Sequence, residues 1–183
     1  PVFLARNHFM NLDWCNNNRH LVTDITRILD SHAKVAKASV DRLNWLLKHA
    51  VVASVKEVES IKEALGRLKT DLSPQIEVTP YIEVNAFLDN YESYQATFPN
   101  AVMVNIVRPN WDLRTKIGTH LNVSHLGLVL KQHGDLIFYH ATNVGPVRVV
   151  KLPLNIYLDS YRQHDSVKGI NVHAIKQGAL SGG

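Results

Sequence analysis

Asn122-Val123-Ser124-His125-Leu126-Gly127-Leu128-Val129-Leu130, then Lys131-Gln132-His133-Gly134-Asp135, then Leu136-Ile137-Phe138-Tyr139-His140-Ala141-Thr142, is the stretch that decides the fold. Two runs rich in strand formers flank a short polar segment with a glycine, the pattern of a β-hairpin. Residues two apart on a strand share a face, so His125, Gly127 and Val129 line up together, as do Phe138 and His140. A turn centred on Gln132 and His133 sets His125 opposite His140, with Cβ atoms about 5 Å apart. Gly127 leaves space beside His125 for another group to come close. A lone strand histidine is more often a half-buried structural residue. Two facing ones beside a glycine tilt the reading toward chemistry: a general base with its orienting partner, or two metal ligands.

Outward from the hairpin the chain keeps a β-rich second half. Ala101 to Val107 reads as a buried strand stopped before Pro109, and Asn110 to Gly118 as a polar loop. Pro146 to Leu152 and Gly169 to Ile175 read as further strands, with a short helix over Leu154 to Tyr161. In the first half, Phe9 to Asn17 reads as a short helix closed by Asn16-Asn17-Asn18. Thr23 to Leu29 and Val35 to Val40 read as strands, and Ile76 to Ile82 as extended around Pro80. Ser54 to Lys69 carries the clearest helical stripe, with Val55, Val58, Ile61, Leu65 and Leu68 on one face. Asn85 reads as the N-cap of a helix through Tyr94. Together these give an α+β domain built on a mostly antiparallel sheet with flanking helices. It forms a single domain over 1–177, with 178–183 as a tail.

With 183 residues and 45% hydrophobic content the chain can bury a real core. No apolar run approaches the roughly 20 residues of a membrane span. A net charge of +4, with Lys and Arg scattered, gives no nucleic-acid face. The single cysteine, Cys15, excludes an internal disulfide and any multi-Cys zinc site. No His-Glu-x-x-His spacing, phosphate loop or Gly-x-Ser-x-Gly elbow is present. His32, His49, His164 and His173 read as surface or loop residues. Near the N-terminus Arg6, His8, Asp13 and Trp14 make a dense polar-aromatic cluster. It reads either as a solvated helix start or, with a slight lean, as a cleft wall in which Arg6 holds a carboxylate and Trp14 packs on a sugar or peptide.

Ser124-His125-Leu126-Gly127, the hairpin and Tyr139-His140-Ala141-Thr142 resemble the second half of the NlpC-type cell-wall cysteine peptidases, relatives of papain. The segments Arg6-Asn7-His8-Phe9-Met10, Asp13-Trp14, Val22-Thr23-Asp24-Ile25-Thr26, Pro80-Tyr81-Ile82 and Val149-Val150-Lys151-Leu152-Pro153-Leu154 narrow the likeness. They resemble the bacterial branch of N-acetylmuramoyl-L-alanine amidase-like proteins. The resemblance implies a papain-like domain in which His125 is the general base and His140 its orienter. It implies a nucleophilic cysteine on a helix upstream of Pro1, so that this chain lacks the nucleophile-bearing helix. It also implies a peptidoglycan fragment or peptide as substrate, no cofactor, and a periplasmic or secreted location. Cys15 lies away from the family's nucleophile position, beside the Asp13 carboxylate that disfavours a thiolate. A muropeptide-binding module without catalysis and a zinc hydrolase using His125 and His140 are the alternatives.

Overall fold

The computed structural model describes residues 8–49, 59, 63, 72–142 and 148–176. A π-helical turn, Met10–Trp14, runs into a single helical turn, α1 (Cys15–Asn17). There follow β1 (Val22–Asp24), α2 (Thr26–Leu29), β2 (Lys34–Val40), α3 (Arg42–His49) and β3 (Gln75–Glu83). Then come α4 (Val84–Asp89), α5 (Tyr91–Thr97), β4 (Ala101–Asp112), α6 (Arg114–Ile117), β5 (His120–Gln132), β6 (Asp135–Thr142), β7 (Arg148–Pro153), α7 (Leu154–Asp159) and β8 (Gly169–Ile175). The helix expected over Ser54 to Lys69 and the residue Arg6 lie outside the described residues, apart from Glu59 and Glu63.

The strands form one antiparallel sheet in the order β2-β3-β8-β4-β5-β6-β7, with β1 also paired to β8. β4 and β8 are central, and they read as near-continuous apolar runs because both of their faces are covered. On one face Val102, Val104, Ile106, Val129, Phe138, Ile170 and Val172 pack with Phe87 of α4, Tyr94 of α5, and Leu154 and Leu158 of α7. The opposite face carries buried polar groups. There the Asn105 side chain donates to Asn171 (2.9 Å), and Asn171 donates to Asp24 (2.8 Å) and Thr26 (3.0 Å). Buried amides are tolerated when they are paired, and Asn171 is; the Asn105 side-chain oxygen has no hydrogen-bond partner among the described residues.

Several boundaries differ from the sequence reading, each for a local reason. Thr26 to Leu29 is helical rather than extended, because the Asp24 carboxylate accepts the Thr26 N–H (2.9 Å) and turns the chain out of β1. The helix expected with Asn85 as its N-cap is capped two residues earlier, at Glu83, and breaks in two at Asn90, whose side chain donates to the Ala86 carbonyl (3.0 Å). β4 passes through Pro109 to Asp112, and the expected loop contains α6. Pro109 fits because the β4–β5 ladder is interrupted between Val107 and Trp111.

Candidate active site: the His125–His140 pair and its clefts

The hairpin turn is His133-Gly134, both with positive φ (52° and 91°), and Gln132 pairs with Asp135. The turn is one residue later than expected, which shifts the facing residues by two: Leu128 faces Tyr139 and Val129 faces Phe138. Two consecutive left-handed residues match the right-handed twist of the strands, and Gly134 makes the second inexpensive. Carried forward, this register places Gly127, not His125, level with His140. The two histidines share a face but are diagonal neighbours, a separation that rings can bridge.

They do bridge it. His125 Nε2 lies 3.0 Å from His140 Nδ1, with the rings perpendicular and their centroids 5.0 Å apart. Paired residues between β5 and β6 end at Leu128 and Tyr139, while β6 continues against β7 as far as Thr142. The strands thus part just where the imidazoles meet. A bulge on β5 adds to this: Ile106 faces His125 and Val107 faces Val123, so Ser124 is the inserted residue. A bulge next to a histidine re-aims its side chain and terminates pairing.

Aromatic rings hold His140. Phe138 stacks on it at 5.0 Å and 18°, and Tyr157 of α7 lies 5.1 Å away. Gly127 is required by close packing rather than by a ligand. A Cβ there would come within 2.4 Å of the Tyr139 carbonyl oxygen and 2.6 Å of the Phe138 ring. The space expected beside His125 is filled by its own strand partner. Partial burial, together with the charge on His140, lowers the His125 pKa below the usual imidazole value. His125 is therefore neutral, and able to accept a proton, at neutral pH.

Two clefts meet at Ser124, His125 and Ala141. One, of about 550 Å³, is mostly apolar and is bounded by His8, Met10, Trp14, Met103 and Leu126, with Glu77 in its wall. The other, of about 360 Å³, carries Arg108, Trp111, Thr142, Tyr157 and Tyr161. His8 and Trp14 accordingly stand on a cleft wall, and His8 also packs on Trp45 at 4.3 Å. Asp13 turns elsewhere. Its carboxylate accepts the Arg42 guanidinium and the Phe9 N–H (3.3 Å), which anchors the helical turn that carries Trp14.

Cys15 belongs to the opposite face of the sheet. His173 pairs with Met103 and Met103 with Leu128, an odd number of residues from Ile106 and its partner His125. Cys15 Sγ lies 3.3 Å from His173 Nε2. Burial first, then the charges of Asp24 and Glu77, push its thiol up to about 12. His173, expected at the surface, is buried, and burial lowers its pKa.

Two residues that sequence reasoning passed over line the clefts: Glu77 and Arg108. Glu77 is 1% exposed. Its oxygens accept the N–H groups of Asn11 (3.0 Å) and Asn122 (3.3 Å), and burial raises its pKa. The available signal for Glu77 was a lone carboxylate between Ile76 and Val78. For Arg108 it was a cation between a buried strand and Pro109-Asn110-Trp111. Among the described residues no three of His, Cys, Asp and Glu gather as metal ligands, and no helix is long and apolar enough to cross a membrane.

A Legionella pneumophila protein of solved structure is 30% identical, with a TM-score of 0.78 over 94% of this chain and 63% of that one. An N-acetylmuramoyl-L-alanine amidase from Bacteroides uniformis is 19% identical, with a TM-score of 0.54 over 96% of this chain and 66% of that one. A Bacteroides fragilis protein bearing a xylanase name is 21% identical, with a TM-score of 0.55 over 94% of this chain and 67% of that one. The last two likenesses speak for the fold alone. The chain spans a little under two thirds of the length of the first two. No curated protein sequence matches it. The model of the AmiA-like, N-acetylmuramoyl-L-alanine amidase-like family matches residues 1–167, and the chain belongs to that family.

Proposed function

We propose that the whole protein hydrolyses an amide of peptidoglycan, at the muramoyl-L-alanine link or within the stem peptide, by papain-like cysteine chemistry of the NlpC type. One observation carries the reading: the 3.0 Å contact between His125 Nε2 and His140 Nδ1. With Nε2 engaged, Nδ1 is the nitrogen of His125 left for the reacting groups. In that role His125 donates its Nε2–H to the Nδ1 lone pair of His140, which holds its own proton on Nε2.

In this reading the nucleophile is a cysteine in a segment preceding Pro1. Its thiol proton passes to His125 Nδ1, and the thiolate attacks the amide carbon. The C–N bond breaks as His125 returns the proton to the leaving amine. Water, deprotonated by the same imidazole, then cleaves the thioester. His8 and Trp14 wall the apolar cleft on the substrate side, and Asp13 supports that wall through its hold on Arg42. Peptidoglycan places the reaction outside the cytoplasm, in the periplasm or beyond. No cofactor takes part.

The test is digestion of muropeptides by the full-length protein, with products read by mass spectrometry. Hydrolysis that survives at full rate after His125→Ala, or after thiol alkylation, overturns the proposal. A muropeptide-binding module is the second reading, favoured by one fact: the chain's single cysteine lies on the face away from His125. Thiol-independent binding without any turnover by the full-length protein would favour it.

A further inference from the structure

We propose that Arg108 is a carboxylate anchor, which binds a free carboxylate of the substrate beside the His125–His140 pair and so selects acidic peptides over their amidated forms. The inference rests on the reading of His125 and His140 as the reacting centre.

Arg108 stands at the interruption of the β4–β5 ladder, where the three residues 108–110 of β4 oppose Asn122 alone. Asn110 at φ 51° turns the backbone there, and its N–H donates to the Asn122 side-chain oxygen (3.0 Å). The irregularity brings Arg108 into the wall of the cleft of about 360 Å³ that also holds His125 and His140. The guanidinium lies over the Trp111 ring at 4.7 Å, and its Nε is buried with no hydrogen-bond partner among the described residues. Among the described residues no carboxylate pairs with it, in contrast to Arg42, Arg114 and Arg162. Among the described residues no Asp or Glu lines this cleft.

A half-buried, unpaired guanidinium is an unfavourable arrangement unless something anionic completes it. The guanidinium carbon lies over the indole ring, and the N–H fork of a guanidinium matches a carboxylate bidentately. A carboxylate bound there is held within the same small cleft as the imidazole pair, so it would register the neighbouring amide against His125. Cell-wall stem peptides carry such carboxylates, either free or masked as amides, and Arg108 would distinguish the two.

The probe is a pair of ligands: N-acetyl-L-alanyl-D-glutamate and the same dipeptide with both carboxyls as carboxamides. Calorimetric titration into the full-length protein is expected to give about tenfold tighter binding of the acid. Arg108→Gln should bring the two within about twofold, and Arg108→Lys should keep part of the preference, since it retains charge but not the fork. Equal binding to the wild type, a preference that survives Arg108→Gln, or no binding of either ligand overturns the anchor. The preference should persist in His125→Ala. If it does while hydrolysis also persists in that variant, the reaction proposed above falls and the anchor stands.

Discussion

Cys15 Sγ and His173 Nε2 lie 3.3 Å apart on the face of the sheet that His125 and His140 do not share. A thiol beside an imidazole invites the reading of a catalytic dyad. The surroundings oppose it, since burial and the charges of Asp24 and Glu77 disfavour the thiolate. On this face His173, Asn171, Asn105 and Asp24 make polar contacts with one another.

Cys15 should therefore react slowly. With its thiol pushed up to about 12, alkylation by iodoacetamide at pH 8 is expected to be at least about tenfold slower in the folded protein than in urea. Its titration also carries a sign. The folded pKa is raised, so the unfolded chain loses this proton first. The stability that the thiol contributes is present below the ordinary thiol value and declines as pH rises above it, toward about 12. Equal alkylation rates in both states would contradict the burial argument.

His125→Ala in the full-length protein should abolish turnover while leaving the melting temperature within a few degrees. His140→Asn should be milder than His140→Ala, because an amide can still accept the His125 Nε2–H. Steady-state kinetics on a muropeptide read both. Wild-type activity in all three variants would remove the pair from the mechanism.

The pH profile follows from the lowered His125 pKa. A base whose pKa is depressed stays neutral to lower pH, so the acid limb of kcat/KM should fall below the usual imidazole value of about 6.5. Stability follows the same sense. His125 and His173 both have depressed folded values, so the unfolded chain binds more protons as pH falls below about 6.5. Their contribution is complete above that value and is lost on acidification. An acid limb above pH 7 would contradict the assignment.

Gly127→Ala should destabilise the domain by about 2–3 kcal/mol, read by chemical denaturation, because the added methyl meets the Tyr139 carbonyl oxygen at 2.4 Å. Phe138→Leu in the same background should rescue only part of the loss. It relieves the ring contact but not the backbone one.

The hairpin was legible because its two runs are apolar and its turn contains glycine. Its register was not, because Gln132-His133 and His133-Gly134 are both plausible two-residue turns. Only the positive φ of His133 and Gly134 separates them. That the pair shares a face was nevertheless available from strand periodicity, since a slip of two in the facing residues keeps the face. The Ser124 bulge and the break around Pro109 left no apolar signature, so the clefts they open, and Arg108 with them, were hidden. His173 was misjudged because it sits in a strand whose two faces are both covered, where a polar residue reads as an end rather than as a centre.

The place of β8 has a consequence for how the protein is made. The last described strand, β8, is inserted between β3 and β4 and also pairs with β1. A ribosome delivering this chain presents the hairpin and its histidines well before Gly169–Ile175 emerges. Until then β3 and β4 each expose an unpaired, apolar edge, the kind of edge that recruits wrong partners. The sheet closes late, through contacts far apart in sequence, which makes for slow folding. A chain truncated before Gly169 would keep every residue of the imidazole pair and its clefts, and would lose the strand that joins the two halves of the sheet on which they stand.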